Sequence, residues 1–542
     1  MDGINRIEKL KRRLEPLDFE ERLSLVKWEN VTEEERFYLK NYGIYNIKLT
    51  PDRYMLRLRI DGGRVGPSAM KTICDICDSL SLKLVITARA QLEIHGLDPS
   101  DIYPVYLQLH EKGVETRQTL TDNFRAIVTD PFDGLARDSR IECRGIIEKI
   151  SDRIVGKREW MGTLPRKFNT AFIGREYPRF NPWSNDMLFA LSRKDGRYGF
   201  NLYLGGKNSE TAESADIFIT PEESVSLFFS VAEVFVEFGL RGSRSKTRLF
   251  HLLQRDGMDL VRERIEEKFG STLRREGSPM MKSSSLGGDF PDSVVEVETD
   301  NGIVKDCASL SMEMAKVESG GGEILLSPEQ KIYIRYPESV KKSDTERSGG
   351  VRITACVGSD YCPLSLWKVR GEMDIFPVER LERLGISVGF SGCLKGCGRH
   401  YHADIGLIGL RTNLYAPTER AARIFIGAVE SPVPSPARLL YYSVPLRKLS
   451  ELIDTILDDY EMSGYSTFEE FSHELLRRFS PDFLSLWYVA RQLLGSGGGW
   501  MRGFFAGDED GTISTLRKSL SYPDDISVED MTREMTHRVW DL

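Results

Sequence analysis

Two stretches of this chain, LVITARAQLEI from Leu84 to Ile94 and ILLSPEQKIYI from Ile324 to Ile334, align without a gap at an offset of 240 residues. They share a hydroxyl residue and an alternation of apolar positions, the period of a half-buried strand. The offset far exceeds the period of about 20–50 residues that builds a solenoid, and it implies duplication of a whole two-domain unit. A length of 542 residues allows it, being enough for about two to four domains. The stretch EGSPMMKSSSLGGDF, from Glu276 to Phe290, is rich in Ser and Gly and reads as the exposed linker between the halves.

The first half can be read further. A helical arm runs to about Leu39 and packs on the outside of the domain after it. The string YMLRLRI predicts a strand with Tyr54, Leu56, Leu58 and Ile60 on one face and Met55, Arg57 and Arg59 on the other, stopped by Gly62 and Gly63. SAMKTICDICDSL predicts a helix, and KLVITARAQLEIHGL a single second strand carrying Arg89. Cys74 and Cys77 form a C-x-x-C on that helix, where a spacing of i and i+3 predicts core packing in preference to a redox pair.

Four other cysteines carry chemistry. Cys356 and Cys362 stand as C-x5-C, Cys393 and Cys397 as C-x3-C, with thirty residues between the pairs. Thiolates in two close pairs suit an iron-sulfur cluster, zinc or copper(I). Structural zinc sites use gaps of about two to four residues, so the gap of five is loose for zinc, but spacing alone leaves both open.

The strings around them, TACVGSDYC and SGCLKGCGRHYHADIGLIGL, resemble the cluster-binding signatures of the sirohaem-dependent nitrite and sulfite reductases. The resemblance covers roughly Gly43 to Phe479 and implies an α/β (α+β) fold: a duplicated pair of ferredoxin-like half-domains and sirohaem-binding α/β domains with pseudo-twofold symmetry. The implied division is a helical arm over 1–42, half-domain 1 over 43–112, sirohaem-binding domain 1 over 113–275, and a linker over 276–292. Half-domain 2 comes next over 293–345, then a 4Fe-4S and sirohaem-binding domain over 346–480. A C-terminal extension over 481–542 matches nothing in the family pattern.

By this resemblance Cys356, Cys362, Cys393 and Cys397 hold a 4Fe-4S cluster, with the Cys397 thiolate shared with sirohaem. Arg89 in ITARAQ, Arg125 in TDNFRAIV, and Lys167 and Asn169 in LPRKFN match positions lining the family's substrate pocket. Arg57, Arg59 and Arg166 lie beside them in sequence and are candidate partners for the sirohaem carboxylates. Macrocycle and small oxyanion are both anionic, so cations from several segments must converge. Sulfite reductases generally carry a second Lys where this chain has Asn169, and a singly charged anion needs one cation fewer, which favours nitrite. The implied activity is six-electron reduction of nitrite to ammonia.

The rest of the sequence narrows partners and place. No G-x-G-x-x-G opens a nucleotide-binding unit, so electrons come from another protein, ferredoxin being the family's usual donor. The net charge of −8 argues against nucleic acid. The charged N-terminus and the lack of a run of about eighteen apolar residues predict a soluble, cytoplasmic protein without membrane attachment. Lys395 between two cysteines, Ala126 after the pocket arginine, and Ala90 with Gln91 after Arg89 depart from the family pattern, while His400 reads as a structural hydrogen-bonder near the cluster. Three other readings stay open: sulfite reduction with the same cofactors, a related cluster-containing oxygenase of corrin biosynthesis, and a non-enzymatic iron-sulfur or zinc protein.

Overall fold

Helix Pro67–Ser79 and helix Cys307–Ser319 begin and end at the same offset of 240 residues as the two strand motifs. Each is succeeded by a hairpin: Lys83–Ile86 with Leu92–Leu97 in the first half, Glu323–Leu326 with Ile332–Arg335 in the second. The segment expected as one strand over 83–97 is therefore a hairpin. Its tip holds none of the usual turn residues Gly, Pro or Asn, and the apolar alternation resumes in phase beyond it, so the pattern reads as unbroken. The tip is closed by local bonds instead. Thr87 Oγ1 accepts from Arg89 N at 3.3 Å and Ala90 takes φ +53°; in the second half Ser327 Oγ accepts from Glu329 N at 3.1 Å and Gln330 takes φ +64°.

The computed structural model describes residues 4–47, 50–336, 352–362, 364–431, 433–496 and 500–541, in two compact units, Met1–Ser348 and Gly349–Leu542. The boundary expected at 345/346 lies outside the described residues. Both half-domains belong to the first unit, where they exchange strands. Ile303–Val304 of the second half pairs with Lys83–Ile86 of the first, and Arg64–Val65 of the first pairs with Glu323–Leu326 of the second. The result is a six-stranded sheet completed by two short strands of the second half, Ile303–Val304 and Thr299–Asp300, and a four-stranded sheet completed by Arg64–Val65 of the first. The helical arm docks on the same core, with Leu10, Phe19 and Leu23 buried against it and Tyr38 Oη donating to Leu10 O at 2.7 Å.

The larger domain of this unit has a sheet in which Thr170–Ile173 runs parallel to Met187–Lys194, with antiparallel Arg197–Leu204 and Glu213–Ile219 next and then helix Ser224–Phe238. Unit Gly349–Leu542 repeats that order: Ser387–Ser391 parallel to Ile405–Thr412, antiparallel Glu419–Ile426 and Arg438–Pro445, then helix Leu446–Ser463. Arg352–Ala355 adds a parallel strand ahead of these.

One further expectation is corrected. The Ser-rich linker is not exposed throughout: Ser278–Pro279 pairs with Ser192 and Arg193 at a sheet edge, and Ser283 and Ser284 are buried. The C-terminal extension is built into the core of its unit, where Trp487, Trp500, Phe504 and Trp540 share one apolar cluster with the sheet residues Val388, Leu407 and Ile424. Among the described residues no helix is long and apolar enough to cross a membrane.

The strand exchange leaves no room at Gly63, which has φ +70° and where a Cβ would stand 2.6 Å from Leu326 O of the other half. Gly63→Ala is expected to cost about 1–3 kcal/mol of stability, read as a lowered melting temperature, while Gly113→Ala, equally left-handed but in open space, tests how much of the loss comes from the contact.

Candidate functional site

The first unit gathers its basic residues through a short parallel alignment. Arg125 N donates to Phe168 O at 2.8 Å, Phe168 N to Asn123 O at 3.0 Å, and Val128 N to Thr170 O at 3.1 Å. This brings the motif TDNFRAIV beside LPRKFN, with Arg125 next to the segment of Lys167 and Asn169. Arg89 arrives from the hairpin tip and is held there: Nη1 donates to Asn185 Oδ1 at 2.8 Å and Nη2 to Ala126 O at 3.1 Å. The tip itself is clamped by Gln91, whose side chain donates to Ile60 O and Arg89 O and accepts from Ile60 N.

Arg125 is the electrostatic centre. Burial pushes its guanidinium well below its ordinary range, and the neighbouring cations Arg57, Arg89 and Arg166 push the same way, against the opposing pull of Asp122. Arginine does not lose its proton at working pH, so the shift measures a cation held at a cost. Its Nη2 donates to Thr121 O at 3.0 Å, but Nη1 is buried with no partner among the described residues. Asn169 is anchored on its backbone, N donating to Asp186 Oδ2 at 2.8 Å, while its side-chain Oδ1 is buried with no partner among the described residues. Lys167 lies half-buried between them in the chain. Unsatisfied buried polar atoms on a cation and an amide are the marks of a site that expects a ligand.

The other sequence candidates divide. Arg57 pairs with Glu93, Nε to Oε1 at 2.7 Å, and Arg166 stands 3.8 Å from buried Asp122. Arg59 is turned inward, against the expectation that it shares an outer face with Arg57. Its strand ends at Arg57, and Arg59 is engaged by Asp61 at 2.7 Å and by Phe124 O at 2.9 Å. The sequence reading also missed the carboxylates. Asp122 collects Lys11 at 2.8 Å and Arg244 at 2.6 Å, and Asp186 collects Arg248 at 2.7 Å. Asp122 was within reach, since it lies in the quoted motif TDNFRAIV; its partners come from distant segments that no local pattern connects.

In the second unit Cys356 comes directly after the strand Arg352–Ala355, and its Sγ accepts from Gly392 N at 3.1 Å and Gly358 N at 3.4 Å. Burial pushes the Cys356 thiol up, the two N–H donors oppose this, and the nearby thiols of Cys362 and Cys393 add to it. Behind it, buried Arg370 donates to Cys356 O at 3.3 Å. Gly392 permits the close approach of the two loops, because a Cβ there would lie 1.9 Å from Ser365 Oγ. Cys362 and Cys393 are half-buried, Cys397 is exposed, and none is in a disulfide. Among the described residues no three His, Cys, Asp or Glu side chains are arranged to hold a metal ion. The donor chemistry fits a cluster nonetheless: four thiols outside any disulfide on two loops, one already accepting two backbone N–H···S bonds of the kind that tune cluster sulfurs. His400 is buried with Nδ1 2.9 Å from Ser391 Oγ, and the same Oγ accepts from Gly398 N at 3.0 Å, so the pair fixes the return of the second cysteine loop.

Comparison with known proteins adds to this geometry. Residues 42–112 match the family model described as the nitrite/sulfite reductase ferredoxin-like half domain, and residues 120–273 the nitrite and sulphite reductase 4Fe-4S domain. The chain is 26% identical over 466 residues to a ferredoxin–nitrite reductase of Synechococcus elongatus, covering 79% of this chain and 90% of that protein. It is 24% identical over 465 residues to one of Leptolyngbya laminosa, covering 78% and 91%. The solved structure of the NirA protein of Mycobacterium tuberculosis has the same fold, with a TM-score of 0.76 at 22% identity over 89% of this chain and 97% of that one.

Burial, with smaller contributions from His402 and Arg423, lowers His400 from 6.5 to about 3. A neutral His400 thus stabilises the fold above about pH 6.5, and this contribution is lost as pH falls from there toward 3, because only the unfolded chain takes up the proton. The expected slope is about 1.4 kcal/mol per pH unit in that window. Denaturant melts at pH 4.5, 5.5 and 7 should show it, and His400→Gln should remove that part of the slope.

Proposed function

We propose that the chain is a nitrite and sulphite reductase, as its matches to that family's two domain models and to ferredoxin–nitrite reductases support, and that it reduces nitrite to ammonia by six electrons at a sirohaem coupled to a 4Fe-4S cluster, with ferredoxin as donor. The observation that carries this reading is Arg125, a buried cation with one unpartnered Nη1 among three further arginines and beside the segment of Lys167 and Asn169. A buried guanidinium in that setting is stabilised by an anion and by little else.

In this reading Cys356, Cys362, Cys393 and Cys397 would hold the cluster, and Cys397 would also serve the sirohaem. The two groups supply single electrons and an iron that can bind the substrate. The chain's own residues do the rest. Arg89 and Arg125 orient the oxyanion with planar, permanently charged donors, and Asn169 contributes a neutral amide. Lys167 is the proposed proton donor of this group, because an ammonium, unlike a guanidinium, can give up a proton, from Nζ, as N–O bonds break. Arg57 and Arg166, both partly exposed, are the proposed partners of sirohaem carboxylates. Arg59, with its donors engaged by Asp61 and Phe124, holds the strand end in place. The donor is proposed from the names of the relatives, and a reducing compartment such as the cytoplasm suits a labile cluster.

Visible absorption of sirohaem, together with acid-labile sulfide, is expected in protein made where sirohaem is synthesised; protein folded but colourless there would end the proposal. With a reduced viologen as donor, kcat/KM should favour nitrite over sulfite. Arg125→Ala should lower it for nitrite by about 10²–10³-fold, the scale of losing one preorganised donor to developing negative charge, and Asn169→Lys should move the ratio toward sulfite. Higher kcat/KM on sulfite in the unaltered protein would instead establish the sulfite reading.

A further inference from the structure

The C-x-x-C of the first paired helix has a third thiol facing it. Cys74 and Cys77 lie one turn apart on helix Pro67–Ser79 and are buried to 0% and 1% exposure. Cys307, the first residue of helix Cys307–Ser319, packs against the apolar cluster that contains both, and one turn further on Ser311 Oγ donates to Asp75 Oδ1 between the same two helices. All three are free thiols, and Cys307 alone of the three is partly exposed. The 240-residue offset gives a reference for what packing requires here. Cys307 occupies the position of Pro67, and Cys74 and Cys77 those of Met314 and Val317. The symmetry-related positions thus carry no sulfhydryl at all, so the fold does not need three thiols at this interface.

The setting divides their roles. The neighbouring S–H groups of Cys74 and Cys77 favour the thiolate at Cys307, with Lys83 assisting and burial and Asp306 opposing, while the Cys307 sulfur and burial hold Cys74 and Cys77 as thiols. Cys307 is also at the first position of a 13-residue helix, where backbone N–H groups and the helix dipole favour negative charge. An accessible thiolate backed by two buried thiols is the arrangement of a nucleophilic and a resolving cysteine.

We propose that Cys307 and the Cys74/Cys77 pair form a reversible thiol–disulfide site whose oxidant is a hydroperoxide. The Cys307 thiolate attacks a peroxide oxygen, the O–O bond breaks, and the leaving oxygen departs as water or alcohol after protonation, giving a sulfenic acid on Cys307. A thiol of the pair then attacks that sulfur, the S–O bond breaks, and water leaves. Two thiols have lost two electrons and the peroxide has gained them. A dithiol reductant restores the thiols by two exchanges and becomes a disulfide itself. The bond ties the helix of one half-domain to the helix of the other, beside the exchanged strands.

The test is peptide mapping of the full-length holoenzyme after one equivalent of hydrogen peroxide, quenching with N-ethylmaleimide and trypsin digestion. The expected product joins the peptide Thr72–Lys83 to the peptide Asp306–Lys316, less two hydrogens, and is reversed by dithiothreitol. Cys307→Ser should abolish it, and Cys74→Ser and Cys77→Ser identify which partner resolves. A disulfide confined to Cys74 and Cys77, or any product in which Cys307 is alkylated or over-oxidised without the cross-link, overturns the proposal. The wild-type map decides this even if a variant fails to fold.

Discussion

The reciprocal strand exchange between the two half-domains is the constraint on which the first unit depends. A half-domain alone would leave one edge of its hairpin open, and each half closes that edge with a strand of the other. The exchange also ties down the hairpin tips: Ile86 N donates to Gly302 O at 2.8 Å and Ile86 O accepts from Gln330 Nε2 at 3.0 Å. Arg89 therefore stands on a tip braced from both halves. Its counterpart by the 240-residue offset is Glu329, which pairs with Arg179 at 3.2 Å. Duplication supplied two equivalent tips of opposite charge. One points a cation toward the proposed anion pocket, and the other serves an internal ion pair.

Electrostatics in that pocket are arranged by sharing. Asp122 and Asp186 are buried carboxylates engaged by cations distant in sequence: Asp122 by Lys11 of the helical arm and by Arg244, Asp186 by Arg248. These pairings use up the carboxylates and leave Arg125 with a net excess of positive neighbours. Removing a charge from water costs several kcal/mol unless it is paired, so the excess amounts to a built-in preference for an anion. The helical arm is part of this balance, because Lys11 bonds to Glu8 and to Leu164 O as well as to Asp122.

Much of this was legible in the chain. The offset between Leu84 and Ile324 anticipated the duplication, and the motifs of Arg125 and of Lys167 with Asn169 do meet. What escaped was set by contacts between distant segments. The hairpin tip at Thr87–Gln91 hides because Ala90 adopts a left-handed conformation without a glycine to announce it. Arg59 looked like an outward residue because strand alternation was carried past Arg57, where the strand ends. The C-terminal helices carry apolar faces whose destination only the assembled core reveals. The C-x-x-C read as core packing, and its two sulfurs are buried as that reading requires; the thiol that changes its meaning lies 230 residues beyond Cys77.

The position of Asn169 can be argued from the same charge balance. Its backbone is fixed on both sides, N to Asp186 and O accepting from Met187 N at 3.1 Å, so its side chain leaves the chain in a set direction. A lysine at 169 would add a cation where burial and three arginines already push the Arg125 guanidinium down. Asp186, the nearest carboxylate, is committed to Arg248. Such a pocket would need a more highly charged ligand to be stable when filled, and would be less stable when empty. Under the proposed reading a neutral amide at this position suits a monoanion, because the arginines have already brought the pocket close to the positive charge that burial allows.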